Sequence, residues 1–295
     1  MTSDDEIARL HDRAAAAQHA GDYPTLAQLA RDLIALAQAA ADRRELAWGH
    51  YFAGASWFQR SDGSAASREY RKALELFTEQ GDREGRARSM LGMAAVALDI
   101  DLDVGEARRV YDLCVPIVRE LGDKRRLGIV LGNFGEIHRM EGNADAALRC
   151  AREAVALFRE AGDDAFAGWQ LTSIGHYHLL RRDPASAIAS MRQSYAALQK
   201  SPNPRWIAWY FDIWFIIAAA LDRWDVAAQL MAFSNRYRDE HSVPRMPGIL
   251  PWFSRPVESL SQRLGGDLET LIERGEGLDV AGAQALVEGV SVAAE

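Results

Sequence analysis

Apolar residues recur at three- and four-residue intervals along almost the whole chain, and no stretch shows the alternation of a β-strand. That spacing lays apolar side chains along one face of a helix, so the pattern predicts helices and no sheet. The helical stretches are punctuated at regular steps. Gly81-Asp82, Gly122-Asp123 and Gly162-Asp163 recur, and Asp42 and Asn203 continue the series, at steps of 40, 41, 40 and 40 residues. Each of these glycines follows a periodic helix, where a left-handed C-cap is expected. Asp183 before Pro184, and Asp22 before Tyr23-Pro24, read as N-caps with proline at the start of the helix. Pro116 lies inside a helical stretch and is expected to kink it. The marks delimit about six helix–turn–helix units, near 4–41, 43–80, 83–121, 124–161, 164–201 and 204–241.

Small residues keep the same register. Gly54, Ala95, Gly135 and Gly175 recur in the first helix of successive units, and Ala66, Ala107, Ala147 and Ala187 follow 12 residues later. Ala73, Cys114, Ala154 and Ser194 come seven residues after those. A small residue kept in register marks a close helix–helix contact, because only a small side chain lets two backbones approach. Tyr70 and Tyr111 sit four residues after the first of the paired alanines, where a large side chain fills the space between helices.

This register resembles the tetratricopeptide repeat, although the period is longer than that family's usual length of about 34 residues. The resemblance implies an all-α, right-handed superhelical solenoid of about six such helix pairs, spanning residues 1–242. Residues 243–295 differ: Pro244, Pro247, Pro251 and Pro256 cluster there, and "RLGGDLETLIERGEGLDVAGAQALV" is not another repeat. It is expected to be a C-terminal helical cap packed on the last repeat, with helices near 255–264, 267–274 and 279–290. The long units, the Gly-Asp boundaries and this tail resemble the C-terminal effector domain of large ATP-dependent regulators of the LuxR and SARP types. That likeness implies a sensing or docking module. The sequence has no Gly-x4-Gly-Lys-Ser/Thr phosphate loop of the kind that drives such regulators.

The resemblance also implies which side chains line a concave face: positions 2, 5, 9 and 12 of each unit, counted from the small residue at position 8. Trp48, Phe52, Ala55 and Phe58 are assigned to the second unit. Ile129, Gly132, Glu136 and Arg139 are assigned to the fourth, and Trp169, Thr172, His176 and Leu179 to the fifth. The sixth offers Trp209, Asp212, Ile216 and Ala219. This lining is more aromatic than a solvated face, and an apolar groove with a few polar groups is how small-molecule sites are built. The expected occupant is a small apolar or aromatic metabolite or a short hydrophobic peptide, with a protein partner as a further reading. In an enzyme reading, for instance a cyclisation or isomerisation of a natural product, Glu136, His176 and Asp212 are the acid–base candidates. In a third reading the array is a plain protein scaffold. The Trp-rich helix around Trp206–Phe215 is apolar nearly all round and is expected to be covered by residues 245–264, including Trp252 and Phe253.

Charge and composition narrow the partners. The net charge of −8 argues against nucleic acid and an anionic membrane surface, both of which call for clustered basic residues. The most apolar run, Trp206 to Leu221, is short of the roughly 20 residues of a membrane span and carries Asp212. The acidic, polar start lacks the basic and apolar regions of a signal peptide, and the two cysteines fall inside helical patterns, so a cytoplasmic setting is expected. No Cys/His cluster has zinc spacing and no cofactor motif is present, so no metal and no cofactor is expected.

Overall fold

A computed structural model describes residues 3–200 and 202–291. The described residues are helical, with no strand among them. In chain order the helices are α1 (Ser3–Ala20), α2 (Tyr23–Ala39), α3 (Arg43–Gln59), α4 (Gly63–Glu79), α5 (Arg83–Asp99) and α6 (Val104–Glu120). They continue with α7 (Lys124–Met140), α8 (Ala144–Glu160), α9 (Asp164–Leu180), α10 (Pro184–Leu198), α11 (Pro204–Ala220) and α12 (Trp224–His241). These are the six helix pairs of a tetratricopeptide-type solenoid. A short 3-10 turn (Pro247–Ile249) then leads to α13 (Leu250–Leu264), α14 (Leu268–Glu276) and α15 (Val280–Glu288).

The 40-residue period is built from two halves of the same design. Most helices are 17 residues long and three-residue turns join them. A left-handed residue stands in most of the turns and just after α12: Gly21, Ala41, Ser61, Gly81, Leu102, Gly122, Gly142, Gly162, Arg182, Asp222 and Ser242 all have φ between 53° and 77°. In most turns the residue just before the following helix caps it, Arg223 before α12 being an exception. Asp22, Asp42, Asp62, Asp82, Asp103, Asp123, Asn143, Asp163, Asp183 and Asn203 each accept a hydrogen bond from a backbone N–H two or three residues on. So the Gly-Asp pair performs two tasks at once. Glycine closes one helix with a φ other residues resist, and aspartate opens the next by satisfying an orphan N–H. Helix α6 runs through Pro116.

The small residues sit where the register places them. A Cβ added at Gly54 would lie 2.7 Å from the Tyr70 ring, one at Gly175 2.8 Å from the Met191 sulfur, and one at Gly135 3.2 Å from the Ala147 carbonyl.

The chain divides into two compact units, Met1–Val130 with Met246–Gly248, and Leu131–Arg245 with Ile249–Glu295. In the first, consecutive helices from α1 to α6 pack on one another, and α3 also touches α1 and α5. Its core gathers Leu26, Leu33, Trp48, Phe52, Tyr70 and Phe77. In the second, α8 to α12 pack in succession and α9 touches α11. Helix α11 is buried on nearly every face: α13 lies on one side, with the Phe215 and Phe253 rings 4.6 Å apart, and Tyr210 donates to Gln284 of α15 at 2.9 Å. Helix α14 packs along α12, and Gly275 comes so close that a Cβ there would lie 2.3 Å from the Gln229 carbonyl oxygen. Among the described residues no helix is long and apolar enough to cross a membrane.

Candidate functional site

The aromatic residues assigned to the second repeat are packed as core. Trp48 is 5% exposed, Phe52 1% and Phe58 8%. The ring of His11, from α1, stands edge-on to Trp48 at 5.3 Å and to Phe52 at 5.5 Å, while Phe77 of α4 meets Trp48 at 5.0 Å. His11 is held by Glu45 at 2.7 Å and Arg88 lies over Trp48 at 4.8 Å. Helix α1 therefore covers what the register alone presents as an open face. Phe52 lies one residue beyond the inward position, which Tyr51 holds. Ile129 is half-buried in α7.

In the second compact unit, three successive first helices carry the remaining candidates. Glu136 and Arg139 come from α7, Trp169 and His176 from α9, and Trp209 from α11. Arg139 is buried and donates through Nε and Nη2 to Glu136 Oε1, at 2.7 and 2.5 Å. Tyr177 donates to the other Glu136 oxygen at 3.2 Å. Burial, together with the negative charge of Glu136, holds the Tyr177 phenol well above its ordinary range, so it stays protonated. Trp209 and Trp252 flank the His176 ring edge-on at 6.3 and 5.5 Å. Trp169 stacks on Trp206 at 5.0 Å.

His176 is the outlier of this cluster. It is 1% exposed, yet neither ring nitrogen has a hydrogen-bond partner. Burial, reinforced by the positive charge of Arg139, pushes its imidazole down to about 3. The ring is therefore neutral at physiological pH, with one donor and one acceptor both unused. Gln170, one residue past Trp169, is in the same condition: its carboxamide is fully buried and neither end is paired. It fits only because Gly132 of α7 has no side chain, since a Cβ there would lie 2.4 Å from Gln170 Oε1. His176 and Gln170 are thus two buried side chains of α9 with no hydrogen-bond partner at either polar atom, where buried polar groups are nearly always satisfied.

Thr172 and Asp212 do not join the site. Thr172 bonds the Ser194 hydroxyl at 2.7 Å and donates to the Gly168 carbonyl at 3.2 Å. Asp212 accepts from Ser234 at 2.6 Å, from Arg238 at 2.5 Å and from Arg245 at 3.0 and 3.3 Å. Both residues hold position 5 of their unit, and both bond the small hydroxyl residue 22 positions later. Position 5 thus points at the second helix of its own pair, which corrects the assignment of Thr172 and Asp212 to an open face. The acid–base trio is not a relay either: Asp212 spends its oxygens on two arginines, Glu136 on Arg139 and Tyr177, and His176 bonds neither carboxylate. Among the described residues no group of three His, Cys, Asp or Glu side chains is placed to hold a metal ion.

Several members of the cluster escape a register argument. Gln170 falls outside the four inward positions. Tyr177 follows Glu136 by one repeat and one residue, a spacing that could have paired them. Arg238 and Arg245 carry no repeat signal.

The family model described as "Tetratricopeptide repeat" matches residues 126–200. No curated protein matches the chain in sequence. Among solved structures, a Rap protein complexed with competence and sporulation factor superposes with a TM-score of 0.66 at 12% identity, covering 93% of this chain and 78% of that one. The Rap conjugation gene regulator of plasmid pLS20, complexed with the Phr* peptide, gives 0.59 at 13% identity, covering 88% and 75%. The apo form of RapI gives 0.56 at 12% identity, covering 91% and 99%. At such identities the likeness is one of fold: an all-α helical-repeat solenoid. The narrower likeness to LuxR-type and SARP-type regulators finds no support in these matches.

Proposed function

We propose that the chain is a ligand-holding regulatory repeat module whose ligand is a short peptide with apolar or aromatic side chains. It is held on the α7–α9–α11 face by Trp209, His176, Arg139, Glu136 and Trp169. The observation that carries this reading is His176: a neutral imidazole kept out of water, unpartnered at both nitrogens, between two indoles. A peptide brings both things such a place lacks, an apolar side chain and N–H or C=O groups. Of the similar structures, one is complexed with competence and sporulation factor and another with the Phr* peptide, which supports a peptide over a free metabolite.

Native mass spectrometry of the freshly purified full chain, followed by titration with a pool of short apolar peptides, tests this. The expected result is a one-to-one adduct. Trp209→Ala should weaken it at least ~10-fold, the scale of one lost aromatic contact, while leaving the helical circular dichroism unchanged. Absence of any adduct, or full binding by Trp209→Ala, sinks the proposal.

A further inference from the structure

Beside His176 and Arg139 stands a residue that no repeat contributes. Trp252 lies in the first turn of α13, and its ring meets His176 edge-on at 5.5 Å with an interplanar angle of 78°. The Arg139 guanidinium carbon lies 5.8 Å from the centre of that ring, and the Arg255 carbon 5.7 Å. An electron-rich indole between two guanidinium groups is a favourable cation–π arrangement. Yet Trp252 satisfies neither nitrogen of His176. It fills the volume beside the imidazole and leaves its chemistry unused.

Trp252 is held less firmly than its neighbour Phe253. Pro244, Pro247 and Pro251 precede it, and Pro251 opens α13, where proline has no helix hydrogen bond to lose. The residue before α13, Ile249, makes no side-chain capping bond, in contrast to the Asp and Asn caps of the repeats. The neighbouring Phe253 is the anchor instead: it is buried, 4.6 Å from Phe215, with Arg245 stacked over it at 3.7 Å. Trp252 itself remains half-buried. So α13 is secured at Phe253, while the half-buried Trp252 side chain can leave His176 by rotating about its own side-chain bonds.

We infer that Trp252 is a built-in stand-in for the ligand: it occupies the place beside His176 and Arg139 that an aromatic side chain of the bound peptide takes, and the peptide enters by displacing it. This rests on the peptide-holding reading above and names the side-chain class. The incoming group is a planar aromatic with its own hydrogen-bonding atom, a tryptophan or tyrosine. Its N–H or O–H gives the imidazole the partner that Trp252 withholds, and its ring replaces the indole over Arg139. Phenylalanine fills the same volume and leaves His176 unsatisfied, so it binds less well. A closed Trp252 taxes affinity by the fraction of time the site is open.

Calorimetric titration with N-acetyl-tryptophanamide and N-acetyl-phenylalaninamide tests the inference on wild type, Trp252→Ala and Trp252→Ala/His176→Phe. Trp252→Ala should bind the tryptophan amide ~10-fold more tightly than wild type, the tax of a site open a tenth of the time. It should also prefer the tryptophan amide over the phenylalanine amide, a preference lost in the double variant. Equal affinity of wild type and Trp252→Ala, or no binding to Trp252→Ala, overturns the stand-in role. Should Trp252→Ala fail to fold, 5-fluorotryptophan in the wild-type chain decides, with the Trp252 resonance identified by its loss in Trp252→Phe. That resonance should move on adding saturating N-acetyl-tryptophanamide, and a static one overturns the inference. A peptide adduct with Trp252 unmoved would remove the stand-in and keep the peptide-holding module. No adduct at all would remove both.

Discussion

His176 concentrates the chemistry of the site in one side chain. Its folded-state pKa of about 3 lies below the ordinary value of 6.5, so between these limits the unfolded chain binds a proton that the folded chain refuses. Stability therefore rises with pH across that window and is lost as pH falls through it. At pH 4.5 the penalty relative to pH 7.5 is on the order of 2–3 kcal/mol. Urea unfolding at the two pH values should show His176→Phe losing less stability on acidification than wild type, by about that amount. Asp212 is the opposite case, a buried carboxylate whose charge is fully used. Asp212→Asn leaves Arg238, itself 7% exposed, as an uncompensated buried charge. A loss of about 3–5 kcal/mol is expected in the same measurement. On this contrast we assign Asp212 to the scaffold and propose His176 for the site: one has every partner it needs, the other none.

Among the elements, the turn is the most regular device in the molecule, and it is also where the sequence is least uniform. Five of the eleven left-handed junction residues are glycine, and the other six are Ala41, Ser61, Leu102, Arg182, Asp222 and Ser242. A non-glycine residue there is strained by roughly 1–2 kcal/mol, partly offset by glycine's greater freedom in the unfolded chain. Arg182→Gly is therefore expected to stabilise the protein by on the order of 0.5–1 kcal/mol, and Gly162→Ala to destabilise it by about 1 kcal/mol. Paired thermal melts check both, and the opposite signs guard against a general effect of substitution. Nothing lies within 4 Å of a Cβ placed at Gly162, so the expected loss is backbone strain alone. The Gly-Asp marks were legible because both residues act locally, each on the backbone of its own turn. The turn at Arg182-Asp183 kept the geometry while losing the glycine, and the turn at Asp222-Arg223 kept it while losing both letters, so the pattern there carries half the signal or none.

For the whole molecule, the tail decides what the last repeats look like. Helices α13 to α15 pack on α11 and α12, and the closest approach is at Gly275, over the backbone of Gln229. Because the atom a Cβ would strike is a carbonyl oxygen in the middle of a helix, neither side can yield cheaply. Gly275→Ala should cost on the order of 2–3 kcal/mol in urea unfolding, although alanine is the better helix former. We propose that residues 243–295 act as a cap for the array, and loss of α14 docking in that variant is the most direct check. An increase in dye binding to newly exposed apolar surface should accompany it.

The sequence by itself determined the helices, their period and their pairing. These depend on apolar spacing, on small residues in register and on turn chemistry, all of which act between residues close in the chain or one repeat apart. It also singled out Glu136, Arg139, Trp169, His176 and Trp209, because a repeat carries its register with it. Only the tertiary structure decided which inward positions are covered. Trp48 and Phe52 became core because α1 lies over them, and Asp212 became a structural anion because Arg238 reaches it from α12 and Arg245 from the non-repeating segment beyond. Trp252 meets His176 because a proline-marked segment brings it back to α9. Contacts of that kind join residues with no shared period, so they leave no trace in the pattern from which the repeats are read.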